Sequence, residues 1–415
     1  IGNLKFSDEH SKGDKLPVHI ILGARDFNKV KTSEPAIICE DNDLVVEMTK
    51  LGWIMSGGIH RSDSYQENDF LLNSDEQFDQ MTRFELLGIG ENTDNKNKEE
   101  FHKEFIGGLT QNKSGRYIAP LPWKRDIIEL PQNKQIALHR LKKNTDRLAK
   151  IGKLKEYDEI MREQIKTGIL EKVPIEAPIE KVHYIPHQAV IKDSSESTKL
   201  RVVYDCSAKA NAGEPSLNDC LETGPPLQPH LFDILMRMRT YRYLIIGDIC
   251  KAFHQIVLDR KDVDVQRLFW YKNLKNREIE EYRFTRVIFG CNSSPYILGA
   301  TLQKHFLKFT SKYPETTGRL LENTYVDDIL AGSDCIAELE KFKEEAITIM
   351  GEAQMKLHKW KSNVKNLERE SINVPKGKEE YGTFAKISNK TRENETKILG
   401  MNWDKVGDSI SINLR

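Results

Sequence analysis

The sequence is short of cysteine, of long apolar runs and of excess charge, and each shortage removes a class of protein. Six cysteines, Cys39, Cys206, Cys220, Cys250, Cys291 and Cys335, are scattered through 415 residues. No Cys-x-x-Cys pair occurs among them, which argues against a zinc cluster and a dense disulfide scaffold and suits a reducing compartment. Apolar runs such as Tyr243–Gly247 are far too short to span a bilayer, so no membrane partner is expected. No secretory signal is visible. Lys+Arg and Asp+Glu stand equal at 63 each, which excludes a strong global field toward nucleic acid. Also missing is any Asp-Thr-Gly or Asp-Ser-Gly loop of the kind an aspartic protease needs.

What is present is a globular composition, 38% hydrophobic and 30% charged, long enough for about two to four domains. Residues 1–140 carry 18 Lys+Arg against 23 Asp+Glu, and residues 141–415 carry 45 against 40. The second part is only mildly basic, so nucleic-acid binding there must come from local placement. The chain opens on Ile1 and stops just after the alternating Ser409–Leu414. Both ends are expected to be cut from a longer polypeptide, although a processed amino terminus would read the same way.

Residues 14–60 read as short strands, among them Pro17–Gly23 and 51–58. Residues 61–132 read as a polar linker with short helices. From Asn133 to Val173 apolar residues recur at helical spacing, broken near Gly152, which predicts two helices. Val182–Val190 and Leu200–Tyr204 read as a hairpin, followed by a helix at His230–Arg239 and strands at 243–248, 265–271 and 281–288. Ser293-Ser294-Pro295 opens a helix over 294–311, and Ile336, Leu339, Phe342, Ala346, Ile349 and Met350 mark another over 335–353. The mixture predicts an α+β fold.

The chemistry concentrates where carboxylates interrupt apolar runs. Leu244–Gly247 closes on Asp248, and Tyr325-Val326-Asp327-Asp328 sits between apolar segments. Adjacent carboxylates on apolar strands repel and desolvate badly unless a cation compensates. A strand ending in Asp beside an Asp-Asp hairpin holds two divalent ions about 4 Å apart for phosphoryl transfer, and the hard oxygen ligands suit Mg²⁺ or Mn²⁺. The bland alternative is surface acids near turns.

Asp248, Phe253, Phe289-Gly290 with Pro295, and Tyr325–Asp328 resemble the motifs of reverse transcriptases. Arg201–Ala208, Ser216–Asp219, Asp248–Ile256, Lys356–Asn363 and Leu399–Asp404 resemble in particular the BEL/Pao class of long-terminal-repeat retrotransposons, in the expected order over about 135–410. The resemblance implies the fingers and palm of a right-hand polymerase over 133–410, with a ferredoxin-like antiparallel palm sheet. Ile20–Phe27 and Leu51–Gly57 resemble the tail of a retropepsin-like protease, so 1–60 is expected to be a partial protease segment without activity. No thumb, RNase H or integrase is seen.

The resemblance implies these roles. Asp248 and Asp327 bind metal; Asp328 either joins them or supports the turn. Phe253 floors the sugar site and excludes ribose, or simply packs in the core. Arg201 and Lys192 clamp the triphosphate, unless they are solvated cations, and Asp205 orients that clamp or caps the turn. Phe289 and Gly290 pack against base and template, with Phe289 standing where retroviral enzymes have Gln. Tyr325 and Val326 lie under the primer end, and Gly400 and Met401 hold the primer strand, or form a buried strand. Lys356 and Lys359 contact phosphate or belong to a charged face. The implied partners are an RNA or DNA template, primer, dNTPs and the rest of a Pol polyprotein, in cytoplasmic retrotransposon particles. The competing expectation is a degenerate or co-opted, non-catalytic module that binds nucleic acid or protein.

Overall fold

Helices and mainly antiparallel sheets alternate along the chain, as the switching between helical and strand-like apolar spacing requires. The computed structural model describes residues 31–32, 34, 37–39, 44–50, 52–56, 95–125, 129–176, 181–191, 200–369, 395–399, 401–405 and 407–411. Two units divide the chain, Ile1–Glu85 and Leu86–Arg415. In the first, β1 (Ile37–Cys39), β2 (Leu44–Thr49) and β3 (Gly52–Ser56) form an antiparallel sheet in that order. Strand β3 falls in the stretch predicted at 51–58, whereas the strand predicted at Pro17–Gly23 lies outside the described residues.

The second unit begins with α1 (Asn95–Gly108), β4 (Thr110–Gln111) and β5 (Tyr117–Ala119). These residues belong to the stretch read as a linker, yet Phe105, Leu109, Tyr117 and Leu121 are buried in the main core. Helices α2 (Lys134–Lys150) and α3 (Leu154–Lys166) flank Gly152, where the periodicity breaks. Helix α2 buries Ala137, Leu141, Thr145 and Leu148, one stripe at spacings of three and four. After β6 (Leu170–Lys172) come the antiparallel β7 (His187–Ile191) and β8 (Leu200–Tyr204). The strand expected from Val182 begins only at His187. Pro186 has no N–H for a ladder, and His183 and Ile185 donate instead to the carbonyls of Asp264 and Arg267.

Then follow α4 (Leu231–Arg239), β9 (Tyr243–Ile249), β10 (Val257–Leu258), β11 (Arg267–Asn273) and β12 (Glu278–Phe284). Next are α5 (Ser294–Leu307), α6 (Pro314–Asn323), β13 (Thr324–Tyr325), β14 (Asp328–Ser333), α7 (Ile336–Glu352) and β15 (Leu357–Ser362). The antiparallel β16 (Glu395–Ile398), β17 (Met401–Asp404) and β18 (Ser409–Ser411) close the unit. Helix α5 stops at Leu307, short of the predicted 311. Helix α6 is absent from the sequence reading because Pro314, Thr316, Thr317 and Gly318 resemble loop material. It is held by Thr317 and Leu320, both 0% exposed.

The sheet that positions the acids runs β13–β14–β9–β15 and is antiparallel throughout. Its two faces follow the period-two alternation of a strand. Leu244 and Ile246 of β9 and Leu330 of β14 join Ile234 and Met238 of α4, Ile398 and Trp403 in one cluster. Ile245, Ile249, Ile329 and Ala331 face the other way, into the main core with Phe342, Ala346 and Ile349 of α7. Each of the Leu, Ile, Met and Phe side chains contributes about 1.5–3 kcal/mol by burial, and burial on both faces explains why β9 reads as a continuous apolar run. Among the described residues no helix is long and apolar enough to cross a membrane.

The buried ring of His187 contributes to acid sensitivity of the fold. His187 is 3% exposed and lies between Tyr157, whose hydroxyl meets Nδ1, and the Phe269 carbonyl, which accepts from Nε2. Burial pushes its pKa down to about 4 from 6.5. The folded ring therefore stays neutral while the unfolded chain binds a proton below 6.5, so stability is complete above 6.5 and lost as pH falls toward 4. Urea unfolding at pH about 7.5 and about 5 is expected to show an acid-induced loss smaller by about 2 kcal/mol in His187→Gln than in the parent.

Candidate active site

The parity that buries Leu244 and Ile246 on one face also puts Asp248 on that face, beyond the apolar cluster. The register aligns Asp328 of β14 and His358 of β15 directly opposite Asp248, and Tyr325 of β13 opposite Asp328. Tyr325, Asp328, Asp248 and His358 thus form one row across four strands. Opposed side chains in such a row are neighbours, and like charges facing each other there are destabilising. A slip of one residue would send the row to the opposite face.

Between β13 and β14 the chain turns through Val326 and Asp327 alone. Val326 has φ 55, the left-handed region that a β-branched residue seldom enters and that glycine normally supplies in a two-residue hairpin. Strain of this kind persists where the surroundings hold it, typically at functional sites. The turn is anchored by the Ile249 N–H, which donates to the Asp327 carbonyl at 2.8 Å. Behind Asp248, Gly247 lies under the Trp360 indole, whose nearest carbon would be 2.7 Å from an added Cβ.

The carboxyls differ in their surroundings. Burial raises Asp327, helped by the charge of Asp248. Burial and repulsion from Asp327 and Asp248 push Asp328 up to about 6. For Asp248 burial also acts upward, but hydrogen bonds from His358 and Lys359 and their charge carry its pKa below the ordinary value. Lys359 Nζ lies 2.9 Å and His358 Nε2 3.1 Å from Asp248 Oδ2. Lys359 reaches it from a bulge between His358 and Lys361, with φ 52. This contact is a role the sequence did not reveal.

Among the described residues no three His, Cys, Asp or Glu side chains are grouped as a metal cage. Three carboxyls with unequal partners meet here instead: Asp248 is engaged by Lys359 and His358, while Asp327 and Asp328 are raised by burial and repulsion. Oxygen donors whose negative charge is undercompensated are what a hard divalent cation takes, so the residues fit Mg²⁺ or Mn²⁺.

Phe253, 5% exposed, stands in the 3₁₀ turn Ala252–Gln255, five positions after Asp248. Its ring meets Phe289 edge-on at 4.6 Å and 72°, and Phe289 is 48% exposed. Gly290 follows with φ 100, and a Cβ there would lie 2.2 Å from the Tyr204 carbonyl oxygen. Asn218, noticed in the sequence only as part of a motif, is the strut of this loop. It donates to the Gly290 carbonyl at 3.2 Å and to Ser207 Oγ at 2.9 Å, and accepts from the Asn292 N–H at 3.0 Å. Gly290→Ala is expected to destabilise the fold by about 2 kcal/mol or more, because both φ and the carbonyl contact exclude a side chain; urea unfolding measures it.

Arg201 is exposed on β8, opposite Val190. Asp205 accepts from Arg140 and from the Ser207 N–H at 3.1 Å, so it closes a turn and pairs with Arg140. Met401 and Tyr325, two of the four expected primer contacts, pack against the same small cluster as Trp403, whereas Val326 packs against the main core. Lys192 and Gly400 lie outside the described residues.

A comparison with curated proteins gives no match. A family model described as Reverse transcriptase (RNA-dependent DNA polymerase) matches residues 190–403, more than half of the 415 residues, and the match takes in β8, the acid row, the Phe253–Phe289 contact and β17 as far as Trp403. The chain belongs to the reverse transcriptase (RNA-dependent DNA polymerase) family.

Proposed function

We propose that this chain is the fingers and palm segment of an RNA-directed DNA polymerase from a BEL/Pao-type retrotransposon polyprotein, preceded over 1–60 by the tail of a retropepsin-like protease. The single observation that carries the reading is the row in which Asp328 stands opposite Asp248, with Asp327 in the adjoining turn. On this reading the sheet β13–β14–β9–β15 with α6 and α7 is the palm, and the β7–β8 hairpin belongs to the fingers. Asp248 and Asp327, assisted by Asp328, would hold two Mg²⁺ or Mn²⁺ ions. Bound there, such ions would supply activation of a primer 3′-hydroxyl and offset charge on the α-phosphate and departing pyrophosphate.

The chain's own residues do the positioning. Phe253 floors the sugar pocket and shuts out a 2′-hydroxyl, with its ring steadied by Phe289. Arg201 and Lys192 engage the triphosphate as charged donors. Phe289 and Gly290 lie against base and template, Tyr325 and the strained Val326 under the primer terminus, and Gly400 and Met401 along the primer strand. Template, primer, dNTPs and the remaining polyprotein are the partners, in cytoplasmic retrotransposon particles. The test is extension of a primed RNA template in Mg²⁺ by this chain and by one lengthened downstream. Metal-dependent addition of dNMP by either supports the reading, and extension by neither opposes it.

A second reading draws on the Lys359 and His358 contacts to Asp248. There the acid is neutralised within the protein and the fold persists as a non-catalytic module that binds nucleic acid or protein. Nucleic-acid affinity that is equal in EDTA and in Mg²⁺, with no extension by the lengthened chain, would favour it.

A further inference from the structure

Two thiols meet where the Gly290 loop rests on the end of β8. Cys206 and Cys291 stand 85 positions apart in sequence, and the Cys291 thiol donates to Cys206 Sγ at 3.1 Å. Both are free and buried, 1% and 4% exposed. The segments that carry them are held together from one side by Asn218. Its N–H donates to the Cys206 carbonyl at 3.1 Å, and its side chain reaches Ser207 Oγ, the Gly290 carbonyl and the Asn292 N–H. A thiol is a weak donor and a weak acceptor, so the contact adds little as a hydrogen bond. Its distinctive property is that the sulfurs need close by only about 1 Å to become a disulfide.

Solvent is near. Ser207 beside Cys206, and Phe289 and Gly290 just ahead of Cys291, are exposed, so each sulfur lies one residue below the surface. No ligand has to lodge between them, because the joined sulfurs occupy less room than the separate thiols. The contact with Cys291 and burial hold the Cys206 thiol well above its ordinary range. It therefore stays protonated at neutral pH and reacts slowly, when local opening of the loop admits a small oxidant.

We propose that Cys206 and Cys291 are a redox couple that a peroxide closes, tying the loop Phe289–Asn292 to the end of β8. With hydrogen peroxide, two S–H bonds and the O–O bond break and one S–S bond forms. The two thiols lose two electrons to the peroxide, and their protons leave in two molecules of water. A thiol reductant reverses the step. In a reducing compartment the pair stands open, and disulfides that form there are usually transient or redox-sensing. The closed bond spans 85 positions, a long loop whose closure restricts the unfolded chain strongly. The inference goes beyond the polymerase reading and stands without it.

The experiment uses the full chain, reduced, freed of reductant and treated with hydrogen peroxide. The protein is then unfolded in N-ethylmaleimide, digested with trypsin and mapped by mass. The peptides Val202–Lys209 and Val287–Lys304 each hold one of the two cysteines. They are expected to appear joined, two hydrogens lighter than their sum, in the parent and in Cys335→Ser, and to separate in dithiothreitol. In Cys291→Ser, Cys206 is expected to join no other cysteine. The oxidised parent should melt about 5 °C or more above the reduced parent, a rise that dithiothreitol reverses and Cys291→Ser lacks. Recovery of both cysteines as maleimide adducts from the treated parent, or joined to other cysteines, overturns the proposal. A joined pair that melts no higher than the reduced chain would be a link without a lock and also overturn it.

Discussion

Asp248→Asn, and separately Asp327→Asn, will reduce templated extension by the lengthened chain about a thousandfold or more, a barrier increase of about 4 kcal/mol. The amide keeps one oxygen but removes the charge that, on the proposed reading, would draw a divalent cation to the row. Folding should survive. Asn at 248 can still accept from Lys359, which is largely solvent-exposed, and loss of the opposed charge relieves Asp328. A change in stability within about 1 kcal/mol is expected. Asp328→Asn should be milder than either, since Asp328 is the acid assigned to support. Single-turnover rates with matched circular dichroism measure both parts, and an Asp248→Asn protein that extends primers at the parent's rate would remove the metal assignment.

Phe253→Ala will admit ribonucleotides, lowering the dNTP/rNTP preference about tenfold or more, or about 1.4 kcal/mol. The ring is 5% exposed and braced by Phe289, so a ribose hydroxyl pressed against it would have no easy way to displace it. Removing so buried a ring also costs about 3–5 kcal/mol of stability. The ratio is nevertheless a sound readout, because both nucleotides compete for the same folded molecules. Asp248→Asn should leave the ratio of any residual activity unchanged. Steady-state incorporation of paired dNTP and rNTP decides it, and an unaltered ratio in Phe253→Ala would put the floor of the sugar site elsewhere.

Much of this arrangement is legible in the sequence because it depends on local pattern. A carboxylate at the end of Leu244–Gly247 and another pair after Tyr325 stand out against apolar neighbours, and period-two parity then brings Asp248 and Asp328 side by side. The break at Gly152 and the stripes of α2 and α7 are equally local. What the pattern hides depends on distant partners. Lys359 reaches Asp248 only because β15 bulges after His358. Helix α6 is held by tertiary burial against its own loop-like composition. Asn218 becomes a strut only when the Gly290 loop folds back to it.

The central claim is that the acids of the row hold divalent metal, and it is tested most directly by counting bound Mn²⁺ with electron paramagnetic resonance. The parent chain with primer–template and dNTP is predicted to bind Mn²⁺ at the row, Asp248→Asn and Asp327→Asn to lose that binding, and Lys359→Ala to tighten it, because the cation no longer competes with the Asp248–Lys359 pair. Mn²⁺ binding that is absent from the parent, or equal in the parent and both Asn variants, would contradict the account.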